Sequence, residues 1–474
     1  MSALGEGLPA APATPPATAL ARVQASLSRI ASTDDRVNAF TDVLAERALT
    51  RAEALDRSGH AGPLAGVPFA VKNLFDVQGL PTRAGSRIGR ECAPAGRDAV
   101  LVRRLEAAGA VLVGALNMDE YAYGFTTENT HDGPTRNPHG LDRLAGGSSG
   151  GSAASVAAGQ VPLSLGSDTN GSIRVPASLC GVFGLRPTFG RLPRTGSYPF
   201  AASLDALGPF ARSVRELALA YDVMQGPDPE DPACAQRPAA PVCPVLEQGV
   251  AGLRIGVLGG WFQTQALPPA LAAVERVAAA LQAHRVVEWP EVDRARAAAF
   301  VVTSAEGAAL HLPDLRTRAL DFDPMTRDRF IAGALLPAAW VVQAQRLRGW
   351  FARRVAESFR DVDVVLAPAT PRTAPAIGTE WLQVAGQRLP ARASMGLLTQ
   401  PVSCIGLPVA TVPVWGCDPA EPGLPLGVQV IAAPWREDLC LRVARALEAA
   451  GVASAPVARL QPAGYGSPRR RIDD

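Results

Sequence analysis

The chain has 474 residues, of which 47% are hydrophobic and 19% are charged, so it can bury a large core. Its 46 basic and 44 acidic residues leave a formal net charge of +2, which gives no electrostatic reason to expect nucleic acid or a membrane surface as a partner. The seven cysteines form no CxxC pair, and we find neither a secretory signal nor a run of about 18 apolar residues, so we expect a cytoplasmic protein with free thiols.

The first part of the chain predicts helices. Residues 1–17 are rich in Ala and Pro and are expected to be disordered, as is the tail at 461–474. The intervening residues 18–460 are expected to form one domain. Apolar residues at helical spacing predict helices at 18–31 and at 35–57.

Alternating strands and helices follow. We predict a strand at 69–71 that leads into Lys72, a helix at 98–108 and a strand at 110–113. After a Pro-rich connector near 227–244, we predict further strands at 253–258, 286–289, 362–367, 409–414 and 427–431, and helices at 268–284 and 437–450. This alternation predicts an α/β fold.

The stretch 146–187 is the part of the sequence that most strongly indicates a function. It opens with GGSSGGS at 146–152, continues through small residues to Gly159 and a strand at 161–165, and reaches a turn that ends at Ser172. A flexible linker is one alternative, but the segment lies between structured segments and leads into a helix. A phosphate-binding loop is another, but its lysine is missing. Glycines beside serines can instead present hydroxyls and bare N–H groups to a substrate.

Lysine occurs once in the chain. Of the 46 basic residues, 45 are arginine and the exception is Lys72. Arginine stays protonated in proteins, whereas a buried lysine can lose its proton near neutral pH. Lys72 is therefore the candidate for a neutral amine base. The five histidines show neither metal-ligand spacing nor a nucleophile motif, and we predict no metal site.

Two long runs resemble a known family. The run GGSSGGSAASVAAG…LSLGSDTNGSIRVPASLCGVFGLRPT closely resembles the signature of the amidase signature family, and VPFAVKNLFDVQGLPTRAGS resembles its lysine segment. LTQPVSCIGLPVATVPV also fits, so the resemblance covers about residues 18–450. It implies an α/β fold with a large mixed, twisted β-sheet covered by helices on both faces. It also implies an amidase that uses no cofactor.

The resemblance implies a role for individual residues. Lys72 would be the base, Ser148 a bridging serine that follows a cis peptide bond, and Ser172 the nucleophile that forms an acyl-enzyme. The oxyanion hole would be formed by the backbone of Thr169, Asn170, Gly171 and Ser172. Many members have Gly-Gly before the nucleophile where this chain has Asn170-Gly171. A main-chain donor survives that change, but the Asn170 side chain would narrow or polarise the pocket.

The segments NMDEYAYGFTTENTHDGPTRNPH and APATPRTAPAIGTEW resemble members that deaminate a small, anionic urea derivative. A carboxylate in the substrate calls for a cation, and Arg174 is the nearest candidate. An ion pair between Arg174 and Asp168 is the alternative, and both remain open. Further candidate pocket residues, for which loop packing is the alternative, are Tyr123, Thr126, Thr127 and Glu128. The resemblance also implies a small helical partner subunit in a heterotetramer.

Three other functions remain open. The chain could be a glutamine- or asparagine-hydrolysing subunit of a tRNA-dependent amidotransferase, which the lack of a basic surplus disfavours. It could be an amidase of broad specificity. It could be a non-catalytic scaffold, which the presence of Lys72, Ser148 and Ser172 disfavours.

Overall fold

The computed structural model describes residues 18–59 and 61–460. The predictions of disorder at 1–17 and 461–474 lie outside these residues. The strands are β1 (Phe40–Val43), β2 (Pro68–Lys72), β3 (Val111–Leu116), β4 (Glu128–Asn129), β5 (Gly133–Pro134), β6 (Arg136–Asn137), β7 (Gly140–Leu144), β8 (Leu163–Asp168), β9 (Phe183–Arg186), β10 (Ala206–Ala211), β11 (Ile255–Leu258), β12 (Arg285–Val287), β13 (Val364–Pro368), β14 (Trp381–Val384), β15 (Gln387–Pro390), β16 (Val409–Val414) and β17 (Leu426–Ala432). The helices are α1 (Ala19–Val37), α2 (Ala45–Ser58), α3 (Arg87–Arg90), α4 (Val100–Ala107), α5 (Gly150–Ala157), α6 (Arg174–Cys180), α7 (Val214–Met224), α8 (Trp261–Thr264), α9 (Pro268–Ala280), α10 (Val292–Thr317), α11 (Pro324–Ala334), α12 (Ala338–Ser358), α13 (Ala391–Ser394), α14 (Gln400–Cys404) and α15 (Glu437–Ala449).

One mixed sheet of 11 strands organises the fold, in the order β1-β3-β2-β8-β10-β9-β16-β17-β13-β11-β12. The pairs β2–β3, β2–β8, β11–β12 and β11–β13 are parallel. The pairs in the middle of the sheet, from β8–β10 to β13–β17, are antiparallel. The sheet continues across the Pro-rich stretch 227–244, with strands on either side of it in the chain. The predicted large mixed sheet is therefore confirmed.

Helices cover both faces of the sheet. Side chains of a strand alternate between its faces, and neighbouring residues of β2 lie in different hydrophobic clusters. Phe69 and Val71 pack in a cluster with residues of α7, α9 and α15. Ala70 packs in a second cluster with residues of α1, α2 and α5. Both faces of β2 are thus buried, which explains its uninterrupted apolar sequence before Lys72.

The helix predicted at 35–57 is wrong. α1 ends at Val37, where Asn38 adopts the left-handed conformation with φ of 55°. The Asp34 carboxylate accepts the N–H groups of Ala39 and Phe40 and turns the chain. Residues 40–43 then pair with β3 as a strand, and α2 begins only at Ala45. Side-chain hydrogen bonding and sheet pairing outweigh the helical spacing of the apolar residues.

The other predicted elements are present with shifted ends. The strand predicted at 409–414 matches β16, and the helix predicted at 437–450 is α15. The long helices α10, α11 and α12 and the β14–β15 hairpin were not predicted. Within the described residues, no single helix is long and apolar enough to cross a bilayer; α11 and α12 together reach that length and composition but are bent by 95°.

Candidate active site

Lys72 lies at the end of β2, and its side chain is completely buried. Its Nζ atom lies 2.8 Å from Oγ of Ser148, 3.0 Å from Oγ of Ser149 and 2.9 Å from Oγ of Ser167. Three hydroxyls therefore surround the amine, and no carboxylate forms an ion pair with it among the described residues. The amine is held by neutral groups that tolerate either of its protonation states.

The charge state of Lys72 follows from this burial. Desolvation lowers the pKa of the amine from its ordinary 10.5 to about 7, although Asp119, Asp205 and Asp168 act in the opposite direction. A large fraction of Lys72 is consequently neutral near pH 7. A neutral amine can accept a proton from a serine hydroxyl, which is the chemistry expected of a general base.

Ser148 reaches Lys72 through an unusual loop. The peptide bond between Gly147 and Ser148 is cis, as the resemblance implies. Gly147 packs so tightly that a Cβ there would collide with the Asp119 carboxylate. The Ser148 carbonyl accepts the Asp119 N–H at 3.2 Å, and α5 begins two residues later at Gly150. The small side chains of this segment thus allow Ser148 to approach the end of β2.

Ser172 lies in the turn that connects β8 to α6. Gly171 has φ of 139°, and a Cβ there would collide with the Thr399 side chain. Within residues 18–59 and 61–460, the N–H groups of Asn170, Gly171 and Ser172 donate to no backbone or side-chain acceptor. Unpaired N–H groups beside a serine have the composition of an oxyanion hole.

The side chains of the turn are anchored on both sides. The Thr169 hydroxyl donates to the Asp205 carboxylate at 2.6 Å, and Nδ2 of Asn170 donates to the Thr303 hydroxyl at 2.8 Å. Asn170 Oδ1 is buried and finds no partner in the described part of the chain. The turn is therefore fixed by contacts to the segment before β10 and to α10, which leaves its N–H groups available.

A narrow pocket opens at Ser172. The Ser172 hydroxyl makes no hydrogen bond within the described residues, and it is 2% exposed. The wall is partly aromatic and partly polar, and it consists of Ala122, Tyr123, Gly124, Phe125, Thr169, Asn170, Phe200, Phe300, Thr303, Arg329 and Gln400. So narrow a pocket restricts access to Ser172 to small molecules.

Arg174 does not line this pocket. Its guanidinium group is fully buried and bonded to both Asp168 oxygens at 3.0 Å. Its remaining N–H groups bind the Thr399 carbonyl, the Gln429 side chain and the Ser403 hydroxyl. All five N–H donors are thus used, so the expectation that Arg174 binds a substrate carboxylate is wrong. The alternative, an ion pair with Asp168, is present.

Asp168 forms ion pairs with two arginines. Arg186 approaches the same carboxylate at 3.2 Å. Burial alone would raise the pKa of Asp168, but Arg174 and Arg186 outweigh it and hold the pKa at about 2. This ionic cluster lies directly before the Ser172 turn and fixes the end of β8.

The four candidate pocket residues are separated by the fold. Tyr123 lines the pocket and bonds Ser304 through its hydroxyl at 2.8 Å. Thr127 lies outside the pocket lining; it accepts the Gly150 N–H at 3.1 Å and so supports the serine loop. Thr126 and Glu128 contact Arg392, outside the pocket at Ser172. Only Tyr123 of the four is therefore placed to touch a ligand beside Ser172.

Sequence reasoning missed Arg329. This residue of α11 lines the pocket, donates to the Tyr123 carbonyl at 2.8 Å and lies 3.7 Å above the centre of the Tyr123 ring. Burial lowers its pKa, but a guanidinium group keeps its charge at neutral pH. No local motif marks α11, so only the fold reveals this cation. Among the described residues, no cluster of three His, Cys, Asp or Glu side chains could hold a metal ion.

The mixed sheet, the buried lysine against a serine loop and the serine turn with unpaired N–H groups agree with the arrangement that the sequence resemblance implies. The chain belongs to the amidase signature family, because the family model described as Amidase matches residues 21–441. Family membership makes the protein an amidase.

The chain is similar to several characterised members of this family. The chain is 61% identical over 433 residues to AtzE, the 1-carboxybiuret hydrolase subunit from Pseudomonas sp. (strain ADP), and the match covers 90% of this chain and 94% of that protein. It is 40% identical to one subunit of the glutamyl-tRNA(Gln) amidotransferase from Anaeromyxobacter dehalogenans (strain 2CP-C), over 90% of this chain and 92% of that protein. A solved structure from a vestigial protein complex, described as revealing the origins of an s-triazine catabolic enzyme, is 59% identical with a TM-score of 0.91, over 93% of this chain and 97% of that chain.

Proposed function

We propose that the protein is a serine amidohydrolase that releases ammonia from a small, anionic urea-type amide, and that this amide is 1-carboxybiuret. The contact between the buried Lys72 amine and the Ser148 hydroxyl at 2.8 Å carries the proposal. An amine with a pKa of about 7 is a competent base at neutral pH.

The proposed reaction begins with a proton relay. Neutral Lys72 accepts the proton of Ser148, and Ser148 accepts that of Ser172. Oγ of Ser172 then bonds to the amide carbon while the carbonyl π electrons move onto oxygen. The N–H groups of Thr169, Asn170, Gly171 and Ser172 stabilise that oxyanion, and each such donor contributes about 3–4 kcal/mol in known enzymes.

The second half of the reaction releases both products. The proton held by Lys72 returns through Ser148 to the leaving nitrogen, the C–N bond breaks and ammonia departs. Water then attacks the acyl carbon and the relay accepts its proton. The bond to Ser172 breaks to give a carbamic acid, and the relay returns the proton to Oγ of Ser172. Every proton and electron pair is accounted for by the amide, water and the three side chains, so the steps require no cofactor.

The identity of the substrate is supported by the pocket and by the relatives. The relative of highest identity among those above is a 1-carboxybiuret hydrolase subunit. The narrow pocket at Ser172 favours a small amide, and Arg329 supplies a cation for its carboxylate. Tyr123 and Gln400 add surfaces that can contact a planar urea group.

The second candidate is a glutamine-hydrolysing amidotransferase subunit. Relatives of that kind are about 40% identical over 90% of the chain, so they have the same fold. Glutamine also carries a carboxylate that Arg329 could bind. The formal net charge of +2 gives no basic surplus for a tRNA partner and disfavours this candidate.

The proposal also includes a second polypeptide. A related structure at 59% identity comes from a protein complex, which supports a second subunit. The family resemblance implies that this partner is small and helical and that the assembly is a heterotetramer. We also propose a cytoplasmic location, which is supported by the lack of a CxxC pair among the seven cysteines.

One panel of substrates tests the function. Ammonia release would be measured with 1-carboxybiuret, biuret, allophanate, glutamine, malonamate and aryl amides, with Ser172→Ala as the matched control. We expect the highest kcat/KM for 1-carboxybiuret and none above background in the variant. A preference for glutamine would favour the amidotransferase candidate, and activity spread evenly over aryl amides would favour a broad amidase.

A further inference from the structure

A second, larger cavity adjoins the pocket at Ser172. It has a volume of about 530 Å³ and lies between α11, α13 and the loop before β14. Its lining is Glu128, Met325, Arg329, Gly378, Thr379, Glu380, Pro390, Arg392 and Ala393. Arg329 lines both this cavity and the pocket at Ser172, so the two spaces meet at its side chain.

Arg392 is the unusual residue of this cavity. Its side chain is more than nine-tenths buried, yet Nε and Nη2 have no hydrogen-bond partner among the described residues. Only Nη1 is engaged, by the Asp119 carboxylate at 3.0 Å and by weaker contacts to Thr126 and Glu128. A buried guanidinium N–H without an acceptor costs about 1–3 kcal/mol, so an acceptor is expected to be supplied from outside the chain.

Arg392 and Arg329 repel each other. Burial is the main cause that lowers the pKa of Arg329, and the charge of Arg392 lowers it further. Two cations that share one wall are stabilised by an anion between them. Asp119 pairs with Arg392 through Nη1 and leaves Nε and Nη2 without an acceptor among the described residues. Of the two acids that line the cavity, Glu128 accepts the Gly378 N–H at 2.7 Å through Oε1, and Glu380 is exposed at the rim.

We propose that this cavity is a carboxylate-docking subsite, in which the free N–H groups of Arg392 receive the carboxylate of the incoming substrate before Arg329 holds it beside Ser172. The inference rests on the proposed function and deepens it. Planar guanidinium groups bind carboxylates in pairs of hydrogen bonds, which a lysine ammonium cannot reproduce. This cavity would thereby select anionic amides over neutral ones.

The test uses Arg392→Lys, which keeps a cation for Asp119 but removes the free Nε and Nη2 donors. With 1-carboxybiuret we expect KM to rise about tenfold or more, because hydrogen bonds to charged groups contribute about 1.5–3 kcal/mol, while kcat changes less than about twofold. With biuret, which lacks the carboxylate, kcat/KM is expected to stay unchanged. Arg388→Lys, an exposed position on β15, is the matched control and should behave as wild type.

Malonate binding tests the subsite without turnover. By titration calorimetry we expect malonate to bind the wild type about tenfold more tightly than Arg392→Lys, and to inhibit 1-carboxybiuret hydrolysis competitively. If Arg392→Lys does not fold, Ala393→Glu replaces it in the test. This substitution places a negative charge on the cavity wall and should weaken malonate binding in the same way. Equal malonate affinity in wild type and variant, or non-competitive inhibition, overturns the subsite. A wild type that binds malonate but hydrolyses no amide contradicts the proposed function instead.

Discussion

Nζ of Lys72 and Oγ of Ser148 are joined by a hydrogen bond of 2.8 Å, although the two residues lie 76 positions apart in the chain. The bond depends on β2 ending at Lys72 and on the glycines that let the serine loop approach it. Ser149 and Ser167 complete the cage around the amine. The contact with Ser148 is the one that the proposed relay uses.

We therefore expect Ser148→Ala to reduce kcat much more than Ser149→Ala or Ser167→Ala. We expect kcat to fall about 10³-fold, because a positioned proton-transfer group contributes about 10²–10⁴-fold. Ser149→Ala and Ser167→Ala each remove one hydrogen bond to the amine but leave the relay, so we expect losses of roughly tenfold or less. Ammonia release measures all three variants. Equal losses in the three would contradict a relay through Ser148.

The pH profile reports the charge of Lys72. Because the base is the neutral amine, kcat/KM should rise about tenfold per pH unit below about pH 7 and level off above it. Asp119 raises the pKa of Lys72, so Asp119→Asn should lower that pKa. The neutral amine then persists to lower pH, and the acid limb of the profile should move to lower pH. A shift to higher pH, or an unmoved limb, would contradict this assignment of the base.

Arg329 is expected to decide which amides react. Arg329→Gln should reduce kcat/KM for 1-carboxybiuret by about 10- to 100-fold, since a hydrogen bond to a charged group contributes about 1.5–3 kcal/mol. The variant should act on biuret like the wild type. Arg327→Gln is the control, because Arg327 lies on the same helix but pairs with the surface residue Asp328. A uniform loss on both amides would indicate a structural role for Arg329.

The sequence indicated the candidate catalytic residues but not the cations near the pocket. Lys72, Ser148 and Ser172 lie in long local motifs, so their roles could be proposed from residue order alone. Arg329 and Arg392 come from helices without a motif and reach the site only through the packing of α11 and α13. Arg174 is close to Ser172 in sequence, but a buried carboxylate at Asp168 captures it. The sequence offered both roles for Arg174, and only the packing of the fold decides between them.

The helix predicted at 35–57 failed for a related reason. Helical spacing of apolar residues is a local signal, whereas the break at Asn38 depends on contacts across the fold. Nδ2 of Asn38 donates to the carbonyls of Asp132 and Pro134, which lie 94 and 96 residues away. The turn is stabilised by partners that no local window of sequence contains.

Gly171→Ala tests the geometry of the turn. A side chain at φ of 139° is strained, and its Cβ would collide with Thr399. We expect both a loss of kcat of at least about 10²-fold, from displaced oxyanion donors, and a lower melting temperature. Gly249→Ala is the control, since Gly249 also has positive φ but nothing within 4 Å of an added Cβ. Full activity in Gly171→Ala would exclude these N–H groups as the oxyanion hole.

Labelling of Ser172 tests the account most directly. The wild type, Ser172→Ala and Lys72→Met would each be treated with a phosphonofluoridate probe at about pH 8, where the amine is mostly neutral, and the modified peptide would be located by mass spectrometry. The account predicts one adduct on Ser172 in the wild type, none in Ser172→Ala, and labelling at least about 10²-fold slower in Lys72→Met because the base is missing. An adduct on another residue, or rapid labelling of Ser172 in Lys72→Met, would contradict a serine nucleophile activated by Lys72.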